Sequence, residues 1–267
     1  MDFGFTAFHR GGFGPPLVCL HGFTDTWRVW ELVLPRLERQ HCVLAPTLLG
    51  HAGGPRLDGP ASVEAISDAV EQSMDGAGFE TAHIVGNSLG GRIALELATR
   101  GRADSVVAFA PAGGWAAGAP LFEDVLARQA TLHDQARAAA PHAAAILAST
   151  AGRRRATELL STHFEHIPAD LLAHQMLGVA SCRGAREMIE GARRDGYPDL
   201  AAEQIVCPVR IVWGTADKLL PWPAAAVRFR TEWLPHADWI ELEGIGHCPQ
   251  LDVPLETAQL ILGFTTR

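Results

Sequence analysis

The chain has 267 residues, 48% of them hydrophobic and 19% charged, with a formal net charge of −8. A length of this order suits one large domain, and the composition excludes a disordered or fibrous chain. The acidic balance speaks against a nucleic-acid or anionic-membrane partner, which would need a clustered basic surface.

The first residues, Met1-Asp2-Phe3-Gly4-Phe5, lack a basic start followed by an apolar stretch, so no secretory leader is expected. Residues 17–20, Leu-Val-Cys-Leu, read as a short buried strand ending in the turn His21-Gly22-Phe23. From 27 to 39, Trp27, Trp30, Val33, Leu34 and Leu37 recur at helical spacing. Residues 42–45 form a second strand stopped by Pro46, a glycine-rich loop follows at 51–55, and a helix is predicted over 62–74 with Ser62 as its N-cap. A third strand at 83–85 runs into Gly86-Asn87-Ser88-Leu89-Gly90-Gly91, then into a helix whose Ile93, Ala94, Leu97 and Ala98 share a face. Residues 105–110 make a fourth strand, almost entirely apolar. Strands without alternation, separated by helices, indicate a parallel sheet covered on both faces.

That regularity breaks between 112 and 203. The segment has no convincing strand but shows helical patterns near 121–139, 143–149, 156–164 and 169–180. The basic run Arg153 to Arg155 within it reads as a solvated helix face. A strand at 209–213, a helix at 222–233, a strand at 239–242 and a helix at 255–264 then restore the alternation. The expected organisation is a mostly parallel, doubly wound α/β core of residues 1–111 and 204–267, with a helical cap inserted at 112–203. Long connections of this kind carry function or cover a site. No apolar run approaches the roughly 18 residues of a membrane span. The five cysteines, Cys19, Cys42, Cys182, Cys207 and Cys248, are odd in number and widely spaced. They predict no disulfide framework and a reducing, cytoplasmic setting.

Gly86-x-Ser88-x-Gly90 falls where a strand turns sharply into a helix. Such a turn strains the central residue and lifts its side chain above the sheet edge, with small residues letting the backbones pass. A serine hydroxyl there is a candidate nucleophile, and it needs a base. Among the twelve histidines, His247 stands out in Gly244-Ile245-Gly246-His247-Cys248-Pro249, after the last strand and at the same sheet edge, where open α/β sheets place their ligands. An imidazole base needs an acceptor to fix its tautomer. Asp217, which follows Trp213-Gly214-Thr215-Ala216, is at that edge too. The other place for an acid, Pro111 to Trp115, has no carboxylate. The oxyanion of acyl transfer needs preorganised N–H donors. The amides of Leu89 and of Phe23 are the candidates, with Gly22 permitting close approach. Gly22, Asn87 and Trp115 are the expected substrate contacts. Trp27 and Trp30 read as core, and His163 with His166, on one helix face, as solvated or capping residues rather than metal ligands.

Together, His21-Gly22-Phe23, Gly86-Asn87-Ser88-Leu89-Gly90-Gly91, Trp213-Gly214-Thr215-Ala216-Asp217 and Gly246-His247-Cys248-Pro249-Gln250-Leu251 resemble the α/β-hydrolase superfamily. The order Ser, Asp, His is the one expected for that fold. The resemblance implies that Ser88, Asp217, His247, Phe23 and Leu89 take the family's catalytic positions. It also implies that residues 112–203 are its variable cap. Where relatives often carry Asp before Gly-His-Gly, this chain reads Pro46-Thr47-Leu48-Leu49-Gly50-His51-Ala52, which leaves the hydrogen bonding of that loop open. The function expected is a serine hydrolase acting on a small to medium, largely apolar ester, thioester or lactone, with no metal or other cofactor. Two alternatives stay open at this point. One is a carbon–carbon bond hydrolase of dienones, whose members often have Trp where Cys248 stands. The other is a small-molecule receptor of the same fold.

Overall fold

The computed structural model describes residues 4–116 and 118–265. Met1, Asp2 and Phe3 of the stretch read for a leader lie outside the described residues. The described residues form a seven-stranded sheet of β1 (Phe8–Gly11), β2 (Pro16–Leu20), β3 (Cys42–Pro46), β4 (Ala82–Asn87), β5 (Ala103–Phe109), β6 (Val209–Gly214) and β7 (Asp238–Leu242). Their order across the sheet is β1-β3-β2-β4-β5-β6-β7. Only β1, against β3, is antiparallel; the remaining pairs are parallel. β1 is absent from the sequence reading because Phe8-His9-Arg10-Gly11 is a half-exposed edge strand with no apolar run.

The sheet is buried on both faces, and successive side chains of one strand enter opposite cores. Val18 and Leu20 belong to one apolar cluster, Leu17 and Cys19 to the other; Ile84 and Val85, or Ile211 and Val212, divide in the same way. Helices α2 (Val63–Ala77) and α3 (Leu89–Thr99) cover the first face. The short α1 (Leu34–Leu37) and α10 (Pro254–Thr265) cover the second. Trp30, wholly buried on that side, gains about 5 kcal/mol through the roughly 200 Å² it removes from water, less about 1–3 kcal/mol for an indole N–H that has no acceptor among the described residues.

Two predicted helices are broken. The stretch 27–39 is a 3₁₀ turn, Trp27–Trp30, followed by α1, because Pro35 supplies no N–H to continue a longer helix. The stretch 222–233 is a 3₁₀ turn, Ala224–Ala226, and a π-type turn, Phe229–Trp233. Trp30 is core as expected, whereas Trp27 is partly exposed and stacks on His9.

The insertion after β5 is helical: α4 (Leu121–Ala139), α5 (Ala143–Leu147), α6 (Thr150–Thr157), α7 (Ala169–Ser181) and α8 (Ala185–Asp195). The helix expected at 156–164 instead begins at Thr150, capped by the Ser149 hydroxyl on the Gly152 N–H. His163 and His166 therefore sit in an irregular segment rather than on one helix face, and His166 Nε2 donates to the Leu251 carbonyl at 2.7 Å. After β7, α9 (Pro249–Asp252) leads into α10. All five cysteines are free. Among the described residues no helix is long and apolar enough to cross a membrane.

Candidate active site

The chain leaves β2 for β3 on one side, while β4 pairs on the other side of β2, with Leu20 beside Gly86. The carboxyl ends of β2 and β4 therefore meet where the strand order reverses, the natural crevice of an open α/β sheet. Both Gly22-Phe23 and Ser88 follow those ends.

Ser88 has φ 57° and ψ −117°, a conformation costly for a residue with a Cβ. The surroundings hold it there. Its N–H donates to the Phe109 carbonyl at 2.9 Å, and its own carbonyl accepts from Arg92 and Ala112, each at 3.0 Å. The glycines of the motif follow from close contact: a Cβ on Gly86 would strike the Gly90 carbonyl, and one on Gly90 the carbonyls of Leu20 and His21. No side chain caps α3, so its first N–H groups, Leu89 included, have no local side-chain acceptor.

On the other side of Ser88, Phe23 is followed by Thr24 at φ 65°, a second strained position. His21 fixes this loop. Leu48 N–H donates to His21 Nε2 at 2.9 Å, so Nδ1 carries the proton and donates to the Gly22 carbonyl at 2.7 Å. Burial, with the neighbouring His51 adding to it, keeps the His21 pKa well below the usual value and the ring neutral. The loop that lacks the family's Asp is thus tied through the His21 ring. Gly22 lies against Ser88, where a Cβ would approach the Ser88 Cβ to 3.4 Å.

Asp217 and His247 are carried by neighbouring strands. Gly214 ends β6 where any Cβ would hit the carbonyls of Ile245 and Gly246, and Ala216 N–H donates to the Ile245 carbonyl at 3.0 Å. The two loops are thereby laced together. Asp217 Oδ2 accepts from His247 Nδ1 at 2.7 Å, and Oδ1 accepts from the Leu219 and Leu220 amides at 2.8 and 2.7 Å. Only 5% of Asp217 and 2% of His247 is exposed. Ser88 and His247 line one cavity of about 640 Å³, roofed by α4, α6 and α7. A second cavity of about 310 Å³ opens from Ser88 on the Leu89 side, with Trp115, Met188 and Tyr197 in its wall. Phe23, Ser88 and Gln129 belong to both.

The expected substrate contacts divide. Trp115 lines the smaller cavity, where it packs on Phe122 and Tyr197, and Gly22 lines the larger. Asn87 borders the larger cavity too, but its side chain is committed to protein. Nδ2 donates to the carbonyls of Phe109 (3.2 Å) and His247 (3.0 Å), and Oδ1 accepts from Cys248 Sγ (3.4 Å) and Gln250 Nε2 (3.1 Å). Those four bonds exhaust an amide, so the expectation of a substrate contact is corrected to a tether between the Ser88 turn and the His247 loop. Burial foremost, with Asp25, Asp217 and Asp252 adding to it, pushes the Cys248 thiol far up, so it donates as a neutral S–H.

Sequence reading also missed Asp252, whose carboxylate accepts from the Gly246, Thr162 and His163 amides at 2.7, 2.7 and 2.8 Å and from the Ser161 hydroxyl. It missed Asp25 and Gln175 of the larger cavity as well. Their signals were a polar Thr24-Asp25-Thr26 before Trp27 and a glutamine amid the apolar stripe of α7.

A parallel sheet with a strained serine turn, a facing Asp–His pair and a helical roof defines a class of protein, the α/β hydrolases. The chain belongs to the Alpha/beta hydrolase family, which it matches over residues 17–260. It is 34% identical over 208 residues to the epoxide hydrolase EphH of Mycobacterium tuberculosis, covering 74% of this chain and 92% of that protein. It is 30% identical over 273 residues to the pimeloyl-[acyl-carrier protein] methyl ester esterase of Aromatoleum aromaticum, covering 92% and 96%. The crystal structure of the enol-lactonase from Burkholderia xenovorans superposes with a TM-score of 0.72 at 18% identity over 97% of this chain and 96% of that one, which establishes likeness of fold.

Proposed function

We propose that this protein is a serine hydrolase that cleaves an ester, thioester or lactone of a small to medium, largely apolar acid through an acyl-enzyme on Ser88. Residues 112–203 form the cap that selects the substrate. The observation that carries the reading is the strained Ser88 sharing a cavity with His247, whose Nδ1 is held 2.7 Å from buried Asp217.

In the proposed cycle, His247 Nε2 takes the Ser88 hydroxyl proton as Oγ bonds to the carbonyl carbon. The oxyanion is held by the amides of Phe23 and Leu89. The carbon–leaving-group bond then breaks, and His247 returns the proton to the departing oxygen or sulfur. Water, deprotonated by the same imidazole, attacks the acyl-enzyme and restores Ser88. Asp217 orients the ring and stabilises its cation.

The chemistry of the nucleophile separates this protein from what the name of its mycobacterial relative describes. Attack of a serine oxygen on an epoxide carbon would leave an alkyl ether, which has no carbonyl for water to attack and would not turn over. Ser88 therefore fits acyl substrates.

The test is turnover of p-nitrophenyl esters of increasing chain length by the wild type and by Ser88→Ala. The expected result is many turnovers for the wild type and a loss of at least about a thousandfold in the variant. A burst of one equivalent without turnover would favour a receptor, and near-native rates in Ser88→Ala would refute the nucleophile. Styrene oxide and a dienone ketone serve as comparison substrates, and preferential hydrolysis of either would displace the ester reading.

A further inference from the structure

The two cavities that meet at Ser88 differ in what they offer. The base must protonate the leaving group, so the leaving group lies on the side of His247. His247 borders only the larger cavity, whereas Leu89, Trp115 and Met188 border only the smaller. The acyl chain therefore belongs in the smaller space and the alcohol part in the larger.

The larger cavity carries one carboxylate in its wall, Asp25, only 9% exposed. The backbone places it there. Asp25 Oδ1 accepts from the Thr26 amide at 2.7 Å, and Oδ2 accepts from Gln175 Nε2 at 3.2 Å, joining the loop after β2 to α7. No Lys or Arg forms an ion pair with it among the described residues. A carboxylate accepts about four hydrogen bonds, so the two above leave about half of that capacity, on a residue that lines a chamber walled by groups such as Leu172, Met176 and Leu251. Leaving such a group dry is costly, and a ligand donor that fills it gains accordingly. Arg155 lines the same chamber and disfavours a cationic ligand. A neutral hydroxyl meets both constraints.

We propose that Asp25, seated by Gln175, forms a leaving-group subsite, and that the preferred substrates are esters whose alcohol part bears a free hydroxyl. This deepens the serine-hydrolase reading and rests on it for the assignment of the larger cavity to the leaving group. The burial that raises the Asp25 pKa to about 6 is consistent with an acceptor lacking a cationic partner.

The test is calorimetric titration of Ser88→Ala protein, in which substrate persists. The ligands are butanoate monoesters of propane-1,3-diol, butane-1,4-diol and hexane-1,6-diol, each against its methyl ether. At least one diol ester is expected to bind about tenfold more tightly than its ether, equivalent to one good hydrogen bond to a charged acceptor. Adding Asp25→Leu should abolish that preference. Asp25→Asn, which keeps an oxygen for the Thr26 amide and so preserves the turn, should reduce it to about two- to threefold. Equal binding of ester and ether throughout the series, or a preference that survives both substitutions, overturns the subsite. Turnover of the same esters by the wild type is read separately. Hydroxyl preference in the titration without turnover would sink the hydrolase reading and leave Asp25 as a binding group. Turnover without hydroxyl preference would do the reverse.

Discussion

Every hydrogen-bonding position of the Asn87 side chain is filled by protein, and two of its four partners are the His247 carbonyl and the neighbouring Cys248 thiol. The residue beside the candidate nucleophile thus sets the height of the candidate base, a role that works through position rather than through contact with substrate. Asn87→Asp keeps the shape and removes both N–H donors, turning a carboxylate oxygen toward the carbonyls of His247 and Phe109. The expected result is a fall in kcat of about ten- to a hundredfold on p-nitrophenyl esters, with KM within about twofold, since a small displacement of a base is enough to cost that much. A variant with more than about half the native kcat would mean that the loop is held without Asn87.

At the scale of elements, the His247 loop and the cap are fastened together around Asp252. Asp252, on α9, gathers the Gly246 amide from the loop and the Thr162 and His163 amides from the cap, and the Cys248 amide donates to the Leu160 carbonyl at 2.8 Å. Asp252→Ala leaves these buried donors unpaired, at a cost of about 3 kcal/mol. In hydrogen exchange, the amides of Thr162, His163 and Gly246 should lose protection together. Loss on one side alone would show that cap and loop are anchored separately. None of this coupling was legible in the sequence, because Asp252 and its partners lie up to 91 residues apart. Ser88 and the strand ends bearing Asp217 and His247 were legible, since each sits in a local motif whose glycines answer to local collisions. The parallel strands were legible because burial on both faces makes them continuously apolar. β1 was hidden because an edge strand is not. The two broken helices misled for opposite reasons. Pro35 cuts an apolar pattern that otherwise has helical spacing, and between 222 and 233 the Trp222, Phe229 and Trp233 rings pack through turns that mimic that spacing.

For the whole molecule, buried ionisable groups outside the Asp217–His247 pair set how stability responds to pH. Burial holds His51 and His174 down to about 4, in His174 with help from Arg28, and His21 well below its usual value. The rings of His21 and His51 lie 4.9 Å apart under the Gly22-Phe23 loop, so a proton on either repels the other. A neutral native histidine whose unfolded form titrates near 6.5 gives stability that is fully present above that pH and is lost as the pH falls toward 4. His51 alone accounts for up to about 3 kcal/mol of that loss. Asp25 acts with the opposite sign: raised from 3.8 to about 6 by burial, it favours the fold below 3.8 and gives that contribution up as the pH rises through 6. Three histidines outweigh one carboxyl, so urea denaturation should show stability falling by several kcal/mol between pH 7 and pH 4.5. His51→Gln should flatten the curve. Asp25→Asn should raise stability at pH 8 and make the acid loss steeper, because the opposing group is gone and Gln175 can turn its amide to face the new one. A wild-type curve that is level from pH 7 to pH 5 would mean that these rings take up protons in the native protein as readily as in the unfolded chain, which is incompatible with a His21 Nε2 that accepts from the Leu48 amide.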